Sequence, residues 1–566
     1  MSDKQIDGLK CFINATIVDG SGVEPFLGAV LVEGDRIVRV VRQTDIWQPE
    51  NVASWQPKFA ELTADHLAHW KLIDARDKVL CPGFIDAHSH NDWFCLRETK
   101  ELFFESFIRQ GITTMVMGNC GFSASGFNSE SPHLKDLGGE LFALKESDKY
   151  GDFIDWFAEV SQNVPLNVAS LAGHGTARLS VAGMQAQELS PEQETEMLRI
   201  LEDSLKAGAA GISLGLMYAP GLFAPESELH KVAELCARYD RILTVHPRAE
   251  SAVSLNFAKH GRSHLLQALD ELADLTRKTG CRFEYSHLIF VGRKSWKDVD
   301  EALEILEALE RDGFEVGFDM YPYDFGASVI TIILPTWYQA MSREARRKPW
   351  VRLALRGMIA VTVKLLGFGF EDIRLAYAGE KHPEYNGRLI SEIAASEGRS
   401  SFDVYLSVCE DSDFKARVLM SSYQNDEIMD RLMRHPMSVF MTDAWVEEAG
   451  VQNESIYNAF PRFLRLAREK RISLEAVIHK MTGLTAERFQ LAKRGYVREG
   501  YFADLVLFDP QTVSDIPVTL LNVSGSADSD SSKATSGVLG IEGVYVNGVE
   551  QTQDLDLGAG QVIRVN

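Results

Sequence analysis

Cysteine is scarce in this 566-residue chain and carries no pattern. There are seven (Cys11, Cys81, Cys95, Cys120, Cys236, Cys281 and Cys409), an odd number with no CxxC among them. That argues against a disulfide framework or a zinc-finger spacing and fits a reducing compartment. No GxGxxG follows the first strand of the α/β region, which counts against a dinucleotide-binding fold. The opening MSDKQIDGLKCFINATIVDG has no apolar core of signal-peptide length, so a cytoplasmic location is expected. A long uninterrupted apolar run is missing too. The nearest, Val351 to Phe370, is broken by Arg352, Arg356 and Lys364, which speaks against a transmembrane helix. Basic residues are outnumbered 58 to 81, for a net charge of -23. That disfavours nucleic acid or a membrane surface as the main partner and leaves a small molecule as the expected one.

What is present is a long α/β middle between two β-rich ends. Residues 8–47 and 498–566 alternate in short apolar runs broken by Asp19-Gly20, Glu33-Gly34-Asp35 and Asn547-Gly548. Between the late runs, Ser524 to Gly537 is polar and low in complexity, which predicts a surface loop. The middle repeats an apolar run followed by a helical stretch. FIDAH, TTMVMGN, LNVASLAG, GISLGL, ILTVH, CRFEYSHL, FEVGFDMYPY and MSVFMTD are the strand candidates. Pro191 to Ala207, with Leu198, Leu201 and Leu205 at helical spacing, is a typical intervening helix. Eight such units predict a (β/α)8 barrel, with a doubly wound open sheet as the alternative. The expected division is 1–80 plus 490–566 as a β-sandwich and 81–489 as the barrel. Between Phe325 and Ser421 the strands are too far apart for a simple loop, which predicts a small inserted domain at about 326–420.

In such a barrel the site forms at the C-terminal ends of the strands. The first strand candidate leads into His88 and His90, whose i, i+2 spacing on a strand would place them roughly 6.5–7 Å apart on one face. The second leads into Gly118-Asn119-Cys120-Gly121, two later ones into His246 and His287, and the last into Thr442-Asp443. Single histidines after apolar runs are commonly structural, and a buried cysteine commonly packs as a small hydrophobe. Four histidines, a cysteine and an aspartate, all at strand ends, point instead to a metal site. Imidazole and thiolate suit zinc, and Asp443 is placed to take a proton from an activated water and pass it to a leaving nitrogen.

PGFIDAHSHND, GNCG, LAGHGTAR, GISLGLMYAPGLFA, TVHPRAE, FDMYPYDFGAS, LPTW and REGYFADLVLFD occur in that order. Together they resemble the amidohydrolase superfamily, within it the D-aminoacylase (N-acyl-D-amino-acid deacylase) branch, over nearly the whole chain. The resemblance implies a zinc-dependent hydrolase that cleaves an N-acyl amide bond with metal-activated water. It implies one zinc tightly held on Cys120, His246 and His287, a second, weaker position at His88 and His90, and Asp443 as general base. It also implies substrate contacts from Arg248, Tyr218 and Tyr323.

Three positions depart from the family pattern. Ile289 stands where a lysine is usual, Ala444-Trp445 follow Asp443, and VQNESIYNAFPRF lacks the usual His-Pro-Arg. All three lie near substrate, so hydrolytic chemistry on a less anionic substrate is expected. Val351 to Phe370 is expected to be core of the insert or an apolar wall for an acyl group, with a membrane or partner-binding role as the alternative. A cyclic amide or imide hydrolase of the dihydroorotase or hydantoinase type is the nearest competing reading. A serine hydrolase built on the GxSxG around Ser213 is the more distant one, because no helix pattern follows that serine.

Overall fold

The strand–helix repeat becomes a ring of eight parallel strands. In order around one sheet they are β1 (Phe84–Asp86), β2 (Ile112–Met117), β3 (Asn167–Gly173), β4 (Gly211–Gly215), β5 (Ile242–His246), β6 (Arg282–Tyr285), β7 (Val316–Met320) and β8 (Ser438–Phe440). The computed structural model describes residues 9–42, 70–137, 151–161, 163–184, 188–254, 261–339, 341–515, 522–523, 538–552 and 554–565. All the strands are buried along almost their whole length, as expected of parallel strands covered on both faces, and they read as apolar runs for that reason.

The helices between them carry their own start and stop signals. Helix α1 (Pro191–Ala207) opens on a capping box in which the Ser190 hydroxyl accepts from Gln193 N and the Gln193 side chain accepts from Ser190 N. It stops at Gly208, whose φ of 106° closes the last turn without a Cβ penalty. Leu201 and Leu205 are buried, and Leu198 packs at the edge of the same core.

The barrel closes where β1 meets β8, and here the ladder is reduced to isolated bonds. Ala87 N donates to Phe440 O at 3.2 Å and Asp443 N donates to His88 O at 3.0 Å. Between them sits Asp86, fully buried. It accepts from Thr442 N at 2.9 Å, Thr442 Oγ1 at 2.6 Å and His88 N at 3.2 Å. Burial pushes its carboxyl up to about 7, against the pull of these three donors. One side chain thus fastens the first strand to the last and fixes the backbone that carries His88 and Asp443.

Both chain ends contribute to a second eight-stranded sheet. Leu9–Ile17, Phe26–Glu33, Arg36–Arg42 and Val79–Pro82 from one end join Leu505–Phe508, Ile541–Val546 and Val549–Glu550 from the other, and Lys71–Asp74 pairs with Leu9–Ile17. Alternation along Leu9–Ile17 separates Phe12 from Cys11 and Ile13, and a bulge between Phe12 and Ala15 shifts the phase so that Ala15 and Ile17 join the cluster of Phe12. Val79–Pro82 pairs with Leu505–Phe508 just before the chain enters β1, so this sheet is joined directly to the barrel. The predicted loop Ser524 to Gly537 lies outside the described residues.

Between β7 and β8 the chain builds a three-stranded antiparallel sheet, with Arg417–Met420 paired on either side by Gly326–Val329 and Ile373–Tyr377. Helices lie in the same stretch, the longest being α2 (Pro349–Leu366). Replacing Asp86 with alanine would leave the Thr442 amide and hydroxyl unpaired in a dry seam. We expect a loss of about 2–4 kcal/mol, read as a lower urea midpoint; a loss near zero would mean the seam is fastened elsewhere.

Candidate metal centre

The strand ends bring the nominated side chains together. Cys120 Sγ lies 3.3 Å from His88 Nε2 and 3.6 Å from both His246 Nδ1 and His287 Nε2. Two buried donor groups result, His88–His90–Cys120 and Cys120–His246–His287, each with its ligand atoms within 4.8 Å of one another. The sulfur belongs to both. A thiolate and an imidazole on one tetrahedral zinc stand about 3.6 Å apart, which matches the sulfur–nitrogen spacings. The 2.8 Å between His246 Nδ1 and His287 Nε2 is tighter than the about 3.3 Å of two nitrogen ligands and is a ring-to-ring hydrogen bond.

His88 and His90 do not sit on a strand. β1 ends at Asp86, and the two rings meet at 5.2 Å between centroids from the turn that follows. The turn is held on both sides, by Ser89 N donating to Val116 O and by His88 O accepting from Asp443 N. Three of the residues brought together adopt left-handed backbone without being glycine: Cys120 at φ 52°, His287 at φ 37° and Asp443 at φ 47°. Such conformations cost about 1–3 kcal/mol each and re-aim a side chain abruptly at the end of an extended strand. The loop carrying Cys120 also packs backbone to backbone. A Cβ on Gly215 would lie 2.0 Å from Cys120 O, and one on Gly118 2.3 Å from Leu171 O.

His88 and His287 each present their other ring nitrogen to a carboxylate, and His246 has one nearby. His88 Nδ1 is 3.1 Å from Asp319 Oδ2, and His287 N donates to the other oxygen of Asp319. His287 Nδ1 is 2.6 Å from Glu250 Oε1, and His246 Nε2 is 3.9 Å from Glu250 Oε2. Carboxylates behind the imidazoles fix ring orientation and raise ligand basicity, the usual surroundings of metal-bound histidine. Sequence reasoning missed both. Asp319 lies within β7, and Glu250 follows His246 in TVHPRAE; a search for acids near the strand ends would have found them.

The electrostatics set Cys120 apart from the other cysteines. All seven are unpaired and buried. Burial drives the other thiols up, Cys11 to about 12 and Cys81, Cys95 and Cys236 well above the ordinary range. It acts the same way on Cys120, but the charge of His88 and hydrogen bonds from His246, His287 and His88 outweigh it, and the thiol falls well below its usual value. Burial disfavours charge on His88 and His287 as well. For His88 the Cys120 thiolate and Asp319 outweigh that effect, for His287 Glu250 and Cys120 do, and both rings are raised. Asp443 is raised by burial but pulled lower on balance by His90 and by the charges of His88 and His287. Its Oδ1 is 3.5 Å from both His88 Nε2 and His90 Nε2, and its side chain is 19% exposed, so it reaches the cavity. The donor set, its burial and its carboxylate backing fit a metal ion.

His90, Cys120, His246, Glu250, His287 and Asp443 line one side of an open cavity of about 1140 Å³, counting the solvent at its mouth. Tyr218 lines it, its ring 4.8 Å from that of His246. Tyr323 does not: it is buried in a small recess with Thr442, Asp443 and Ser455, and Tyr321 and Tyr423 line the cavity instead. Arg248 is also not on the wall. Its Nε donates to Glu271, and its other nitrogens donate to Leu222 O and Ala224 O, so it braces a loop. Ile289 is on the wall. Arg293, a possible substitute for a lysine there, is committed to Asp372 and Gly367 O. No lysine or arginine is among the described lining residues. Ser213 is no nucleophile in this setting, because its hydroxyl donates to Gly118 O at 2.5 Å and accepts from Gly121 N at 3.0 Å, holding the Cys120 loop.

Residues 71–353 and 368–550 match the amidohydrolase family. The chain belongs to it. The N-acyl-D-aspartate deacylase of Alcaligenes xylosoxydans xylosoxydans is 29% identical over 94% of this chain and 90% of its own length. An N-acyl-D-glutamate deacylase from the same organism is 30% identical over 78% of this chain and 80% of its own. Among solved structures, the N-acyl-D-glutamate deacylase of Bordetella bronchiseptica, complexed with zinc and a phosphonate mimic of the tetrahedral intermediate, is similar with a TM-score of 0.74. It is 26% identical, over 98% of this chain and all of that one. Likeness to a Thermus D-hydantoinase, 14% identical with a TM-score of 0.51, concerns the fold alone.

A protonated imidazole must lose its proton to bind a metal. With His88 and His287 raised, loading this amidohydrolase at neutral pH should release about one proton or more per ion, and affinity should climb as pH rises. Zinc titration calorimetry in buffers of different ionisation enthalpy, between about pH 6 and 8, measures this; affinity that stays flat or falls with rising pH would contradict it.

Proposed function

We propose that this amidohydrolase is a zinc enzyme that hydrolyses the amide bond of N-acyl compounds whose acyl group is apolar and whose amine half carries no carboxylate. The observation that carries the reading is the cluster of His88, His246 and His287 around the Cys120 sulfur, each with a ring nitrogen 3.3–3.6 Å from it, with the Asp443 carboxylate beside it. Cys120, His246 and His287 hold the principal ion, and His88 and His90 with the same sulfur hold a second, weaker position. A bound zinc ion supplies a Lewis acid for the acyl carbonyl and makes a water acidic near neutrality.

The remaining chemistry belongs to the chain. Asp443, held ionised by its histidine neighbours, accepts the proton of the attacking water. The hydroxyl ends on the acyl carbon, the carbon–nitrogen bond breaks, and Asp443 returns the proton to the departing nitrogen. Burial keeps the phenols of Tyr218, Tyr321 and Tyr423 protonated, so on this wall they act as hydrogen-bond donors to the substrate. Asp319 and Glu250 orient the imidazoles.

The substrate class follows from the wall. Ile289, Val291, Ile332, Leu366, Phe368 and Met420 make it apolar, and Trp445 closes it beside His90 with the rings 5.5 Å apart and edge-on. Its acids are Glu250 and Asp443, with no lysine or arginine among the described lining residues to offset them. A substrate carboxylate buried on that wall, away from the donor cluster, would lose its hydration with no lysine or arginine to pair with it, which costs several kcal/mol. The deacylases named above act, by their names, on N-acyl-D-aspartate and N-acyl-D-glutamate; this cavity suits neutral relatives of such compounds.

Asp443→Asn should keep its zinc and lose about 10²–10⁴-fold in kcat; near-normal turnover would remove Asp443 as the base. A panel of N-acyl amides, N-acyl-D- and L-amino acids and hydantoins should show neutral apolar amides turned over best. In Ile289→Lys, kcat/KM toward N-acyl-D-glutamate should rise about tenfold as a charge-assisted pair forms. Preference for the dicarboxylate in the parent enzyme would sink the substrate assignment, and preference for hydantoins would favour the cyclic-imide reading.

A further inference from the structure

Helix α2 (Pro349–Leu366) has two apolar faces where a surface helix needs one. Val351, Leu355, Ile359, Thr362 and Leu366 recur at helical spacing and are buried against the insert and the cavity. On the opposite side Trp350, Leu353, Val361 and Leu365 are 64%, 72%, 59% and 51% exposed. At 3.6 residues per turn they fall within an arc of about 120°. Trp337, from the short helix Thr336–Gln339, is also exposed. Exposed large hydrophobic residues elsewhere are scattered singly, which is ordinary, whereas several on one helix face mark an interaction surface.

The charge around this face runs against the rest of the chain. Between 343 and 366 there are seven basic residues and one acidic, Glu344, in a protein of net charge -23. Arg352 and Arg356 are spent on Glu410 and Asp403. Arg343, Arg347, Lys348 and Lys364 are exposed, and no described carboxylate pairs with them. A second copy of the chain seated on the face by twofold symmetry would set these cations against their own counterparts. An anionic surface with an apolar interior satisfies both features. No helix of the described residues is long and apolar enough to cross a membrane, so this one would lie along it.

We propose that α2 is an interfacial helix that docks the enzyme on an anionic lipid bilayer, with Trp350, Leu353, Val361 and Leu365 inserted and the unpaired cations on the headgroups. The acidic remainder of the molecule is repelled by the same bilayer, so this is the face that meets it. The purpose of docking rests on the proposed function: N-acyl amides with apolar acyl groups partition into bilayers, and the opposite face of α2 gives Thr362 and Leu366 to the cavity wall.

Binding can be read without catalysis, so the two proposals fail separately. The full-length protein is co-sedimented with phosphatidylcholine vesicles, with and without phosphatidylglycerol, at low and high salt. We expect binding to the anionic vesicles, weakened by salt, and at least about tenfold weaker in Trp350→Ser/Leu353→Ser. The same variant should hydrolyse a water-soluble N-acyl amide as the parent does and melt at the same temperature. The proposal is overturned if neither vesicle pulls the parent down, or if the double variant binds as tightly as the parent. A dimer in sedimentation equilibrium that the double variant splits into monomers would assign the face to a second copy and overturn it as well.

Discussion

The site depends on one buried negative charge, the sulfur of Cys120. A thiolate without solvent is costly, and burial alone would drive this thiol upward as it does the other cysteines. The surrounding imidazoles reverse that, and they in turn are held charged or oriented by Asp319 and Glu250. The result is a nested arrangement of sulfur, imidazoles and carboxylates in which each layer makes the next tolerable. Removing an outer carboxylate would therefore act through the imidazole in front of it, as a change in ring orientation and basicity.

The backbone delivers that arrangement through the seam between β1 and β8. Strands that meet by isolated hydrogen bonds leave their C-terminal ends free to turn, and both His88 and Asp443 sit in that turning stretch. Asp86 compensates for the thin ladder with a side chain that bonds across it. The insert then extends the apolar wall that Ile289 and Val291 begin on the barrel, facing the polar donors. Leu366, Phe368 and Met420 come from between β7 and β8, so polarity is divided between two parts of the chain.

Much of this was legible before any coordinates. Fully buried parallel strands must be apolar throughout, so ILTVH and GISLGL stand out, and Pro191–Ala207 announces both its ends through Ser190, Pro191 and Gly208. The donors were visible because polar residues ending apolar strands are conspicuous. What escaped depends on geometry that sequence does not encode locally. Arg248 looked like a substrate contact, yet Glu271, 23 positions away, claims it. Tyr321 and Tyr323 flank Pro322, and which one faces the cavity depends on how the chain turns after β7 ends at Met320. His88 and His90 were expected on a strand because they alternate, but the seam ends that strand early.

The close approach of Gly215 to Cys120 has a consequence for how this centre can change. The loop bearing the sulfur rests on the strand end below it with no room for a Cβ, so its main chain stands as near the metal position as packing permits. A short ligand is the natural partner of a near backbone. A longer side chain could not be exchanged for cysteine by one substitution. The loop would have to retreat at the same time, with Gly118 and Gly215 released from their contacts. A short and a long ligand at this position are thus separated by misfitting intermediates, and the short one is held there by packing as firmly as by chemistry.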